Sequence, residues 1–349
     1  MTQRIEHIDI AKGISITLVV LLHSKLGEYV PNGPMSMFRM PIFFFLSGVF
    51  FSAGIGPKTF LWKKADALLK PYFVTLFALL AHSVMVNNGT FAEPFAGILY
   101  GNSHTIPWGP LWFLTHLFSV YCVSYFIYRY TNFSQLSFST KSLILAVTLL
   151  ISAWGIKWFW YINVTVFGHS IKLPGLPFSF DIVLISSCFF LAGHIIRDKV
   201  ISFRPRMTLF VAAMLVFLCV SLFTDAHINI TQRTYRSPIF ASLGAVSGIY
   251  IILCASFLLT NYKLLKKPLL MLGSGSLFVL IFHDYIALTV YPFLLSYTGP
   301  DERVFLIALI TFLASIGLPL LIRWAVLKSV FLAPFYLPIR TGKLVAQNP

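Results

Sequence analysis

The chain has 349 residues, of which 58% are hydrophobic and 11% charged, with a formal net charge of +15. Soluble domains run near about 45–50% apolar and about 25% charged, and a globule must cover itself with polar groups; this composition excludes one, and the bilayer is the solvent. The positive excess, which in a soluble protein would suggest nucleic acid as a partner, sits in short segments between apolar runs, where membrane topology accounts for it.

Apolar runs of about 18 residues or more, the length that crosses a hydrocarbon core of about 30 Å, fall near 13–30, 38–56, 71–87, 110–128, 142–161, 179–196, 207–223, 238–259, 268–295 and 304–325. The expected fold is all-α: a polytopic bundle of about ten transmembrane helices, one domain over 1–349 with no appended soluble domain. Pro71 and Pro268 stand at the openings of the third and ninth runs, where a first-turn proline is tolerated.

With the N-terminus inside, 19 of the 26 Lys and Arg fall in inner segments and 7 in outer ones. This bias is the positive-inside pattern, and it sets both termini in the cytoplasm. The first run starts within 15 residues of Met1 and lacks a small-x-small cleavage site, so it reads as a retained helix. The outer segments 88–109, 162–178 and 224–237 are the longest, rich in Gly, Asn, Ser, Thr and His, and suited to cover a cavity open to the outside.

Ionisable residues at membrane depth are costly and mark function by default. In the first span Lys12 and His23 are 11 residues apart, which leaves them about 20° from alignment and about 16 Å apart along the axis. Asp9, one turn before Lys12, is placed to pair with it. The bland alternative is that Lys12 snorkels to headgroups and His23 caps a carbonyl.

The second span carries Arg39 at its outer end and a Ser47-Gly48 step, which also fits close helix packing. In the fourth, Trp112 and His116 share a face four residues apart at the outer interface, a position equally suited to function and to the interfacial belt. The ninth carries Ser274, Gly275, Ser276 and then His283-Asp284; adjacent residues point about 100° apart on a helix, so Asp284 need not orient His283. His82, His169, His194 and His227 read as solvated or interfacial.

Cys122, Cys188, Cys219 and Cys254 each stand alone in apolar runs and read as small hydrophobes. No HxxxH pair, P-loop or GxGxxG is present, so metal and nucleotide-hydrolysis readings are poor.

Four segments in order, Asp9-Ile10-Ala11-Lys12-Gly13 through His23, Met40-Pro41-Ile42-Phe43-Phe44-Phe45-Leu46-Ser47-Gly48, Gly109-Pro110-Leu111-Trp112-Phe113-Leu114 and Leu272-Gly273-Ser274-Gly275-Ser276-Leu277 through His283, carry a resemblance. With Phe189-Phe190-Leu191-Ala192-Gly193-His194 between the last two, the chain resembles the acyltransferase-3 family of membrane acyltransferases, and within it the fucose 4-O-acetylase-like branch. It departs from that pattern at Arg39, where relatives commonly have His, at Thr115, where Pro is usual, and at Ala67, a usual basic position flanked here by Lys63, Lys64 and Lys70.

The resemblance implies acyl transfer, most often of acetyl from cytoplasmic acetyl-CoA, to a hydroxyl of a surface glycan or its lipid-linked precursor, in the bacterial inner membrane. The residues then take expected roles: His23, His283 and Asp9 in catalysis; Lys12, Lys63, Lys64 and Lys70 on the donor phosphates; Arg39, Trp112, His116 and Ser47 on the acceptor; no metal. His23 serves as general base or accepts the acetyl group covalently. A glycan transporter or flippase is the main rival, weakened by the lack of a second Lys12-to-His23 pattern in the C-terminal half, and a non-enzymatic scaffold leaves His23 and His283 unexplained.

Overall fold

The computed structural model describes residues 5–87, 89–166, 169–298 and 304–339. Both chain ends expected in the cytoplasm lie partly outside the described residues, as do Arg4, Arg303, Arg340 and Lys343 of the charge count.

Stretches 50–56 and 155–161 of the predicted apolar runs are not helical, but the runs all contain helices. In order these are α1 (Glu6–His23), α2 (Asn32–Val49), α3 (Pro57–Lys64) running through a π-turn Ala65–Leu69 into α4 (Lys70–Asn87), α5 (Ala92–Tyr100), α6 (Trp112–Tyr130), α7 (Phe138–Trp154), α8 (Val183–Ile195), α9 (Arg197–Ile201), α10 (Met207–Phe223), α11 (Pro238–Leu259), α12 (Lys263–Thr298), α13 (Val304–Lys328) and α14 (Ala333–Tyr336). Six helices among the described residues are long and apolar enough to cross a membrane; α7 and α10 are shorter apolar helices. Among the described residues no large soluble domain accompanies them.

Three boundaries differ from expectation for identifiable reasons. The first helix ends at His23, not near residue 30, because Ser24 turns extended and Lys25–Tyr29 folds back as a 3-10 turn. Gly27 permits that return, since a Cβ there would meet the Leu21 carbonyl at 2.6 Å. The third span begins well before Pro71, and the π-turn at Ala65–Leu69 precedes that proline. A wider turn is how a helix absorbs a missing backbone donor. Likewise α12 starts at Lys263 and carries Pro268 inside it.

Two of the expected outer loops are hairpins. Strand β1 (Trp160–Val166) pairs antiparallel with β2 (His169–Pro174), with Val164 opposite Ile171, and β3 (His227–Asn229) pairs with β4 (Thr234–Arg236). The Ile162, Val164, Thr165, Val166 run favours strand over coil. The third, 88–109, contains α5.

Without a hydrophobic drive between helices in lipid, close backbone approach decides the packing. Here it rests on reciprocal glycines. A Cβ on Gly273 would collide with the Asp9 carbonyl and one on Gly13 with that of Leu269, so α1 lies directly against α12. Gly48 meets Phe190 and Gly193 meets Phe45 in the same way, joining α2 to α8. The buried rings Phe44, Phe51, Phe60, Tyr72, Tyr125 and Phe190 fill the space around them.

The hairpins are clasped by one ion pair. Arg233 donates from Nε and Nη2 to the Asp181 carboxylate at 2.9 and 3.2 Å and from Nη1 to the Thr231 carbonyl at 2.9 Å, and its guanidinium lies 4.5 Å from the Trp160 ring centre. Both charged side chains are essentially unexposed. Tyr100 donates to the Gly175 carbonyl beside them.

Candidate active site

The α1–α12 contact places the ionisable residues of both helices together. Lys12, Ile16, Val19 and His23, spaced as one stripe of α1, all line a cavity of about 260 Å³ whose other walls come from α2, the π-turn, α6 and α12. Its lining is mainly apolar, with Ser47 and Ser276 among the exceptions.

A second cavity, of about 270 Å³, lies on the other side of His23 and is the more polar of the two. Arg39, His104, Asp284 and the β3–β4 turn from Asn229 to Gln232 contribute to it. Val19, His23, Met40, Pro110 and Trp112 belong to both cavities. His23 therefore stands in the shared wall, at the C-terminal end of α1.

His23 is 43% exposed, and its Nδ1 lies 3.6 Å from Asp284 Oδ1. That distance is an ion-pair contact, longer than a hydrogen bond. The His283 ring packs edge-on against His23, with centres 5.2 Å apart. His283 is fully buried, and its Nδ1 faces the carbonyls of Val279 at 2.8 Å and Leu280 at 3.1 Å. Carbonyls only accept, so the proton sits on Nδ1, and Nε2 is left with no hydrogen-bond partner. His283 lines neither cavity; it braces His23 from behind.

The remaining predicted residues divide. Lys12 lies 3.7 Å from Asp9 and 4.7 Å from the centre of the Phe50 ring. Asp9 is on the same helix as His23 but 14 residues earlier, about 21 Å along the axis, so it is not brought to the imidazole. Ser47 and Trp112 do line the cavities. His116 does not: it is fully buried, with Nε2 2.8 Å from Ser186 Oγ and its ring 5.2 Å from that of Trp112, so it supports the tryptophan from behind.

The three lysines that flank the π-turn lie outside the Lys12 cavity. Lys63 is exposed, Lys64 sits 3.7 Å over the Tyr121 ring, and Lys70 binds Asp66 at 2.6 Å and the Leu337 carbonyl at 2.6 Å. Ala67 and Leu68, between them, do line it.

Sequence reasoning missed the partnership of Asp284 with His23, the loop residue His104 and the β3–β4 turn. The first carried a signal: Asp284 points away from His283 and must face another neighbour. His104 packs 4.9 Å from Trp160 and contacts the Thr231 carbonyl at 3.4 Å. Burial holds its imidazole below the usual range, with Arg233 adding to the effect and the Thr231 carbonyl opposing it. Among the described residues no group of three or more His, Cys, Asp or Glu is placed to hold a metal ion.

An imidazole with a carboxylate beside one nitrogen, on the wall between two cavities, is equipped to move a proton between groups bound on either side. A family model described as an acyltransferase domain, that of the acyltransferase-3 family, matches residues 5–324. The chain belongs to that family. As a family member it is a membrane acyltransferase. No curated protein matches it.

Proposed function

We propose that this acyltransferase is an O-acetyltransferase of the fucose 4-O-acetylase-like kind, moving acetyl from cytoplasmic acetyl-CoA to a hydroxyl of a cell-surface polysaccharide or its lipid-linked precursor. The observation that carries the reading is the position of His23 in the common wall of an apolar cavity that ends at Lys12 and a more polar one that ends at Arg39. The working arrangement is ten crossings of the bacterial inner membrane, with both termini inside, as the charge bias of the sequence argues.

In this reading Lys12 holds an anionic part of the donor, and the thioester reaches His23 along the apolar stripe. The acceptor hydroxyl enters the more polar cavity and gives its proton to His23. Its oxygen attacks the thioester carbonyl, and the tetrahedral intermediate collapses by breaking the C–S bond. The CoA thiolate leaves and takes the proton back from His23. Asp284 stabilises the imidazolium formed in between, and His283 keeps the ring from turning away. Because both cavities meet at one ring, direct transfer suffices and no acyl-histidine is required.

Purified protein in liposomes with radiolabelled acetyl-CoA and a glycan acceptor tests the reading. Label should enter the glycan with wild type and not with His23→Ala at equal protein inserted. Glycan carried across the bilayer without any labelling would instead favour a transporter.

A further inference from the structure

The cavity on the far side of His23 is lined by a cation, Arg39, that has no ion-pair partner among the described residues. Arg39 is half-buried in α2 and lines the cavity with His23, yet among the described residues its guanidinium makes no ion pair or hydrogen bond. Among the described residues the one carboxylate on the same cavity, Asp284, lies against His23. The other buried arginine nearby, Arg233, spends its whole fork on Asp181 and Thr231.

An unneutralised arginine in a helix of the bundle is expensive, and such residues mark ligand paths. A guanidinium presents a planar set of donors that match a carboxylate or a phosphate two bonds at a time. Around it are neutral groups of the kind that read sugar hydroxyls: Ser103, Thr231 and Gln232. The turn carrying the last two is already ordered, since Asn229 Oδ1 accepts from Thr231 Oγ1 at 2.7 Å and from the Gln232 amide at 3.2 Å.

Size narrows the ligand further. At about 270 Å³ the cavity falls just below the range of roughly 300–1,000 Å³ common for small-molecule sites. It takes the end of a glycan, so the group held by Arg39 and the hydroxyl facing His23 belong to the same or adjoining sugars.

We infer that the acceptor is an acidic glycan, whose carboxylate or phosphate is bound by Arg39 while a neighbouring hydroxyl is presented to His23. This rests on the acyl-transfer reading for the role of His23, but the anion subsite follows from Arg39 and the cavity alone.

The test uses four probes with the liposome-reconstituted full chain: a tetrasaccharide containing glucuronic acid, its methyl ester, the matching neutral tetrasaccharide and its phosphomonoester. Wild type should acetylate one of the two charged probes with a kcat/KM at least tenfold above its uncharged counterpart, and which one identifies the anion. Arg39→Gln should bring that ratio toward one, and Arg39→Lys should keep part of it. Equal use of charged and uncharged probes by wild type overturns the inference. So does an Arg39→Gln variant that loses activity on all probes by the same factor, which would assign Arg39 to the reacting carbonyl.

Binding is read separately, without acetyl-CoA, from quenching of tryptophan fluorescence by each probe. Selective binding of a charged probe with no labelling would sink the acetyl-transfer reading and leave the anion subsite standing. Neither labelling nor selective binding sinks both.

Discussion

His23 at the end of α1 and Asp284 in α12 meet at 3.6 Å, and the contact exists because Gly13 and Gly273 let the two helices touch backbone to backbone. In the proposed mechanism the carboxylate gives His23 a fixed counter-charge in the step that protonates it. Asp284→Asn keeps the shape and removes the charge, so acetyl transfer should fall by about 10- to 100-fold with little change in acceptor binding. Loss of the base in His23→Ala should cost more, roughly the 10²–10⁴ that proton transfer supplies. Steady-state rates in liposomes check this; an Asp284→Asn enzyme with an unchanged rate would leave His23 without an orienting partner.

Lys12 stands at the far end of the Lys12 cavity from His23, 3.7 Å from Asp9. If it holds donor phosphate, Lys12→Ala should raise the KM for acetyl-CoA by about tenfold or more while leaving kcat within a few fold. A charge-assisted hydrogen bond contributes about 1.5–3 kcal/mol, which sets that scale. Lys12→Arg should be close to wild type. Unchanged kinetics in both variants would return Lys12 to a snorkelling role.

The glycine crossing is the structural hinge of the site. Any side chain at Gly273 must push the Asp9 backbone away, and overpacking of this kind costs typically about 1–3 kcal/mol. Gly273→Val should therefore lower the thermal midpoint in detergent and reduce acetyl transfer further than its folded fraction explains, because it separates His23 from Asp284. Gly33, which has open space around the position of a Cβ, is the control: Gly33→Ala should leave the midpoint near wild type. A stable, fully active Gly273→Val enzyme would mean that the α1–α12 spacing does not set the site.

What the sequence made legible follows the reach of local periodicity. The alignment of Lys12 with His23 is set by residues within one helix, so the wheel found it, and both line one cavity together with Ile16 and Val19. Helix ends were less legible: the return at Ser24 depends on Gly27 fitting against Leu21, a contact that no run of apolar residues announces. The Asp284–His23 pair and the β3–β4 turn over the cavity join distant parts of the chain, which pattern alone does not bring together. Proximity in sequence also misled, since Lys63, Lys64 and Lys70 flank cavity-lining residues while their own side chains find partners elsewhere or face out.

The β3–β4 hairpin and the loop that carries His104 should make the fold sensitive to acid. His227 in β3 faces Ser36 of α2 at 2.8 Å, and Ser36 Oγ already gives its one proton to the Gly33 carbonyl at 2.6 Å. His227 must therefore donate from Nδ1. Burial first, and then Arg236 and Arg39, hold its imidazole below the usual range, and His104 is lowered as well, chiefly by burial. The unfolded chain takes up these protons near the ordinary histidine value of about 6.5, before the folded one does. As pH falls below that value, the unfolded state binds more protons and stability declines until the folded pKa is passed; above it both states are neutral and nothing is lost. Thermal unfolding in detergent should thus occur at a lower temperature at pH 5 than at pH 7.5. The drop should shrink in a His104→Gln, His227→Gln double variant, whereas an equal drop in wild type and variant would assign the acid sensitivity to other groups.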